Sequence, residues 1–358
     1  MAAEALHIRS AVDRNQRILL ARRPSGLPAP EDFATDTTAI PTPGPGQFLA
    51  RTIYLSLDPY YCDLMQDPAG SLLPGDLMPG ETVSQILESR HPDYRPGEYV
   101  LTRNGWQQYA LSSGQGVRRL DPAVAPISTA LGVLGIPGLA GYAGIVYIGT
   151  PRPGETVVVS AATGPVGCTA GQVARLVGAR PVGIAGTDEK CAYAVEELGY
   201  ADCINYKRPD FAAELRRACP DGIDVYFDNV GGEILATVLA CLAPKARIVL
   251  CGTMDSYRSV SPLPGPTLRP LISARATMTG LVVDDYLDRL PVLVRVVGAW
   301  IQSGQFRYRE DVTDGLENAP AAFCRLMRGE NFGKALVRVG PEHLGTPATA
   351  SRTGQGGR

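Results

Sequence analysis

Histidine is scarce. The 358 residues contain only three: His7 near the start, His91 beside a proline, and His343 in a polar tail. Each reads as a solvated loop residue, so histidine-based metal or acid–base chemistry has little to work with. The eight cysteines, at 62, 168, 191, 203, 219, 241, 251 and 324, form no Cys-x-x-Cys pair. That scatter fits small apolar core residues and excludes a disulfide framework or a ribbon-type zinc site. An excess of one charge is missing too. The net charge of −2 with no basic stripe excludes nucleic acid and anionic membranes as partners. No apolar run approaches the roughly 20 residues of a membrane helix, and the first residues carry no signal-like core. A cytoplasmic location is therefore expected.

What the chain has in quantity is glycine (40) and proline (30). They concentrate before residue 155, in segments such as Pro41-Thr-Pro-Gly-Pro-Gly46 and Pro151-Arg-Pro-Gly154. Residues 14–24 and 47–56, Tyr99-Val-Leu-Thr102 and Trp106–Leu111 alternate as strands do, which predicts a barrel-like β domain with short turns. Residues 127–147 are small and apolar and predict a helical bridge.

The most informative segment is Glu155-Thr-Val-Val-Val-Ser-Ala-Ala-Thr-Gly-Pro-Val-Gly167. A β-branched run, Val157–Val159, breaks at Gly164 and resumes as a helix. Strand, glycine turn and helix aim backbone N–H groups at a dinucleotide pyrophosphate. The motif lacks one glycine of the full Gly-x-Gly-x-x-Gly, so alone it is a weak signal. Further strands are expected at Pro181–Ala185, Asp202–Tyr206, Ile223–Asp228, Arg247–Cys251 and Ala276–Val283, with helical stretches between them. That alternation predicts a Rossmann fold: α/β, with a doubly wound parallel sheet. A long helix is expected over Tyr286–Ser303, and a last strand over Phe332–Val339 that returns to the β domain. The tail, 341–358, reads as disordered.

The landmarks Tyr54-Leu-Ser-Leu-Asp-Pro-Tyr60, Gly132-Val-Leu-Gly-Ile-Pro-Gly138, Asp228-Asn-Val-Gly-Gly232 and Glu330-Asn-Phe-Gly-Lys334, with the two glycine turns, closely resemble the medium-chain dehydrogenase/reductase superfamily. The resemblance is to its zinc-free alkenal/one oxidoreductase branch, which includes prostaglandin, double-bond and curcumin reductases. It implies a GroES-like domain (1–130 plus 301–340) around a Rossmann domain (131–300). It also implies hydride transfer from a nicotinamide to the β-carbon of an activated C=C bond in a small-molecule substrate. Quinone reduction, and cofactor binding without redox turnover, are the alternatives. Zinc relatives of this architecture need three protein ligands. Here Cys62 stands at a ligand position, but Pro79-Gly-Glu81 replaces Gly-His-Glu and no third thiolate follows.

The resemblance implies NADPH as cofactor. Gly164, Pro165, Val166 and Gly167 would carry the pyrophosphate. Gly186 stands where an NAD enzyme has a carboxylate, and Lys190 and Tyr206 would grip the 2′-phosphate; a bland alternative has Asp188 or Glu189 reaching the ribose. Asn229, Cys251, Gly252, Thr253 and Tyr257 would line the carboxyl edge of the sheet. Leu281 and Val283 would face the nicotinamide. Asn331 either closes over the cofactor or is a left-handed turn residue. Catalytic candidates are Tyr60, Tyr61 and Tyr257, with Ser273 where many relatives carry tyrosine. The substrate half departs from the family at Tyr60-Tyr-Cys-Asp-Leu-Met65, Leu77–Thr82 and Ala140, which implies a kept cofactor and a changed substrate. A homodimer pairing the edge strand near Thr277–Val283 is implied as well; the alternative is a monomer whose 261–270 loop caps that edge.

Overall fold

The computed structural model describes residues 14–67, 69–255 and 265–342. Fifteen strands fall into three sheets. The first seven are β1 (Arg14–Leu20), β2 (Phe33–Ala39), β3 (Phe48–Ser56), β4 (Thr82–Ser89), β5 (Tyr99–Thr102), β6 (Tyr109–Ser112) and β7 (Arg118–Leu120). Then come β8 (Thr156–Ser160), β9 (Arg180–Ala185), β10 (Asp202–Asn205), β11 (Ile223–Asp228), β12 (Leu242–Leu250) and β13 (Thr277–Gly280). The chain closes with β14 (Glu310–Asp314) and β15 (Lys334–Arg338).

The six central strands form one parallel sheet in the order β10-β9-β8-β11-β12-β13. This is the doubly wound order, with its switch point between β8 and β11. Alternation along β8 explains why its sequence is continuously apolar. Val157 and Val159 pack with the helices at 136–143, 165–176 and 290–302, while Val158 packs with those at 211–218 and 232–239. Both faces are covered at Val157–Val159, so the polar residues fall at the strand's ends, Thr156 and Ser160.

The β domain is a seven-stranded sheet, β14-β15-β3-β4-β5-β7 with β6 also on β3, plus the β1–β2 hairpin. β15 pairs antiparallel with β3 at Leu336–Ser56, so the chain end does return to the first sheet. Its core is aromatic: Phe33 stacks on the buried Trp106 at 5.6 Å, and Phe323 meets both edge-on.

Two expected elements are shorter than their sequence suggests. The Ala276–Val283 strand keeps only Thr277–Gly280, and Val283 instead opens a 3₁₀ stretch, Val283–Arg289. The α-helix begins at Leu290, not Tyr286. Pro291 is the cause: its ring and missing N–H suit a first turn but not a helix interior. Residues 343–358, which make up all but the first two residues of the tail expected to be disordered, lie outside the described residues, as do His7 and residues 261–264 of the 261–270 loop.

Candidate active site

A cavity of about 750 Å³ opens at the carboxyl ends of β8, β9 and β11. Its far wall is built by the β domain, from Leu57, Asp58, Pro59, Asn331 and Lys334. The glycine turn after β8 is tightly made. Ala161, just after β8, takes the left-handed conformation (φ 51°), and a Cβ on Gly167 would run into its carbonyl oxygen. Gly167 is thus required by the turn itself as well as by any ligand. The helix Pro165–Leu176 then starts against the cavity with no acidic residue in its first turn, which suits an anion.

Asp228 organises the other side of the switch point. Its fully buried Oδ1 accepts from Ser160 Oγ, Tyr226 OH, Val230 N and Gly231 N, all at 2.8–3.1 Å. The loop so tied presents Asn229, whose side chain donates to Ser160 O at 2.7 Å. Cys251 N and Gly252 N both donate to Asp228 O, which sets Cys251, Gly252 and Thr253 beside Asn229, although none of the three lines the cavity.

At the β9 end, Gly186, Lys190, Tyr206 and Lys207 converge. A Cβ on Gly186 would sit 3.2 Å from the Tyr206 ring, so only glycine keeps this corner open without displacing the ring. The half-buried Lys190 donates to Gly329 O at 2.8 Å. Burial, and then the neighbouring Lys207, lower its pKa. Two ammonium groups lining one corner, with the repulsion from Lys207 felt more strongly at Lys190 than the pull of either Asp311 or Glu189, suit an anion. Asp188 cannot serve the ribose from where it stands, because Arg208 and Asn205 hold its carboxylate at 2.7 and 2.8 Å. These residues fit a dinucleotide carrying a 2′-phosphate.

Of the other expected site residues, Gly164, Pro165, Val166 and Asn331 line the cavity. Asn331 has no positive φ, so it is not a left-handed turn residue; its side chain donates to Gly333 O at 2.8 Å. Leu281 is buried against Gly144, and Val283 joins the same core cluster; neither lines the cavity. Tyr61 is buried and opens the helix Tyr61–Gln66, whose N-cap is the half-exposed Tyr60; neither lines the cavity. Ser273 is exposed on the helix Arg269–Ala274, away from the cavity wall, with its hydroxyl donating to Arg269 O. Tyr257 lies outside the described residues. Sequence reasoning missed Lys207, Asp58 and Lys334. All three stand in or beside motifs that were singled out, but nothing local marks a lysine or aspartate as facing a cleft between distant segments.

Among the described residues, no group of three or more His, Cys, Asp and Glu side chains is placed to hold a metal ion. Burial pushes the Cys62 thiol up to about 12.

This fold and cleft define a two-domain nicotinamide-dependent oxidoreductase. Residues 16–120 match the model for the N-terminal domain of oxidoreductases, and residues 165–296 match that for zinc-binding dehydrogenases. The chain is 46% identical to the NADPH-dependent curcumin reductase of Escherichia coli, over 91% of this chain and 97% of that protein. It is 39% identical to prostaglandin reductase 1 of Rattus norvegicus, over 88% and 96%. The crystal structure of CurA from Vibrio vulnificus in complex with NADPH superposes with a TM-score of 0.87 at 42% identity, covering 91% of this chain and 99% of that one. The protein belongs to the zinc-free alkenal/one reductase branch of the medium-chain dehydrogenases/reductases.

Proposed function

We propose that the protein reduces the C=C bond of α,β-unsaturated carbonyl compounds with NADPH as cofactor. The observation that carries this reading is the Gly186–Lys190–Tyr206–Lys207 corner, built for a 2′-phosphate, in a cleft whose opposite wall belongs to the β domain. The kinship with NADPH-dependent double-bond reductases supplies the reaction class.

The bound cofactor supplies a hydride for the substrate β-carbon. The chain's own tasks are orientation and charge. Gly164–Gly167 and the helix behind them hold the pyrophosphate. Lys190, Lys207 and Tyr206 hold the 2′-phosphate, Asn229 with Cys251–Thr253 supports the carboxyl edge, and Asn331 covers the cofactor from the β domain. As the hydride arrives, the π electrons move to the carbonyl oxygen and one proton is taken up at the α-carbon. Tyr60 is the donor we assign to that oxygen. Burial raises its pKa, so it stays a neutral O–H at working pH. The test is NADPH oxidation followed at the nicotinamide absorbance with a panel of enones, enals and enoyl thioesters, with the product two hydrogens heavier by mass. No turnover with any of them would refute the reading.

The assembly we propose is a homodimer joined at β13. That strand pairs only with β12 among the described residues, and exposed Ile272 (79%) and Val282 (60%) flank it in the sequence. A two-fold contact there satisfies the free backbone groups and is self-complementary. Light scattering at micromolar concentration is expected to give twice the 38.0 kDa chain mass, and Met278→Pro, which removes a ladder donor, a monomer. A 38.0 kDa wild-type particle would refute the dimer.

A further inference from the structure

Lys334 is the most deeply buried cation in the cavity wall, with a side chain only 4% exposed. Its Nζ donates to Leu57 O at 3.0 Å and pairs with Asp58. Asp58 also accepts from Ser56 Oγ, and the Tyr61 hydroxyl lies 3.5 Å from Asp58 Oδ2. That hydroxyl accepts from Glu81 N at 3.3 Å. The two tyrosine rings lie 4.4 Å apart. A series of contacts therefore leads from the ammonium through Asp58 and Tyr61 to the half-exposed Tyr60, which follows the cavity-lining Pro59 in the chain without itself lining the cavity. Burying an ion pair is a poor way to gain stability, since apolar packing of the same volume does as well or better. Its use lies in fixing geometry.

We propose that Lys334 is a positioning residue for the reduction: it holds Asp58 in the cavity wall, Asp58 accepts from the Tyr61 hydroxyl while Glu81 N donates to it, and the Tyr61 ring, packed on that of Tyr60, aims the free Tyr60 O–H at the substrate carbonyl oxygen. The proposal rests on the enone-reductase reading. In the step it serves, the hydride electron pair forms the β-carbon–hydrogen bond. The C=C π pair moves to the oxygen, where Tyr60 donates a hydrogen bond without losing its proton. The α-carbon then takes a proton from solvent. Ser273, exposed and bonded to its own helix, leaves this role to another hydroxyl. Nothing in the notion of a merely structural pair requires Lys334 and Tyr60 to act as a unit.

The experiment is a double-mutant cycle on the full-length chain. Lys334→Met and Tyr60→Phe are each expected to lower kcat by about 10- to 100-fold, the scale of losing one oriented oxyanion donor. NADPH affinity, read from nicotinamide fluorescence, should stay within about threefold. The double variant should be no slower than the worse single variant, because both remove the same hydrogen bond. Multiplying losses, or an unchanged kcat in Lys334→Met, would overturn the proposal. Lys334→Met leaves Asp58 without its counter-charge and can fail to fold. Lys334→Met/Asp58→Asn removes both charges, and it must show the same non-additive loss with Tyr60→Phe or the proposal falls. A wild-type enzyme that binds NADPH yet reduces no enone overturns the functional reading itself; an active wild type with an additive cycle overturns only the role of Lys334.

Discussion

The two walls of the cleft are made by different rules. On the Rossmann side, the conformation is fixed by backbone: a left-handed Ala161, a glycine that cannot carry a Cβ, and four hydrogen bonds onto a single oxygen of Asp228. On the β-domain side, side chains reach across sequence separations of more than 270 residues, as Lys334 does to Leu57 and Asp58. Backbone-built sites tolerate few sequences, so that half keeps the family pattern. Side-chain-built sites can be rewired pairwise, and two of the three departures, Tyr60–Met65 and Leu77–Thr82, fall there, while Ala140 lies on the helix Ile136–Ala143 in the Rossmann core.

The hardest blow to this contrast is Gly167→Val. Its branched side chain has no room against Ala161, so the turn must open. NADPH affinity is expected to fall by about 100-fold or more, a loss near 3 kcal/mol, with NADH hit equally. Calorimetric titration of both cofactors checks it, and a loss confined to NADPH would mean the turn had not moved.

Lys190→Ala and Lys207→Ala come next. A charge-assisted hydrogen bond is worth about 1.5–3 kcal/mol, so each variant should lose about 10- to 100-fold in NADPH affinity. NADH should be nearly unaffected. Equal losses with both cofactors would remove these lysines from the 2′-phosphate corner. The same substitutions sharpen the comparison, because they test side chains carried on the backbone-built wall.

How much of this was legible in sequence follows the same division. β11 runs over Ile223–Asp228 as its β-branched and aromatic run suggests, and β8 needs only one residue more at each end than Val157–Val159. Both are buried on two faces and read as continuous apolar text. β2, β4 and β14 did not stand out. β14 is Glu-Asp-Val-Thr-Asp, a composition that strands avoid, and it becomes a strand only because β15 pairs with it in parallel. Lys190 and Tyr206 could be named from their motif positions. Lys207, one residue on, could not, since its direction depends on how β10 ends. Asp58 and Lys334 lie in two quoted motifs, but their meeting is a property of the folded chain alone.

The smallest predicted effect is one of pH, and it separates ligand from scaffold by sign. Burial and Lys207 depress the Lys190 pKa in the free protein. A cation so depressed costs folding stability while it is charged, and that cost fades as pH rises through its folded value. The free protein should therefore gain slightly in stability across that window. A bound 2′-phosphate reverses the balance, because it favours the charged lysine. NADPH binding should then take up protons at alkaline pH, and its affinity should decline as pH rises through the same window, by up to about tenfold. NADH, with no phosphate at that corner, should decline little. Titrating both cofactors between about pH 7 and pH 10 measures the ratio. Lys190→Ala should flatten it, because the group whose proton is being counted is gone. A ratio that stays flat in the wild type would mean that the two ammonium groups do not share an anion.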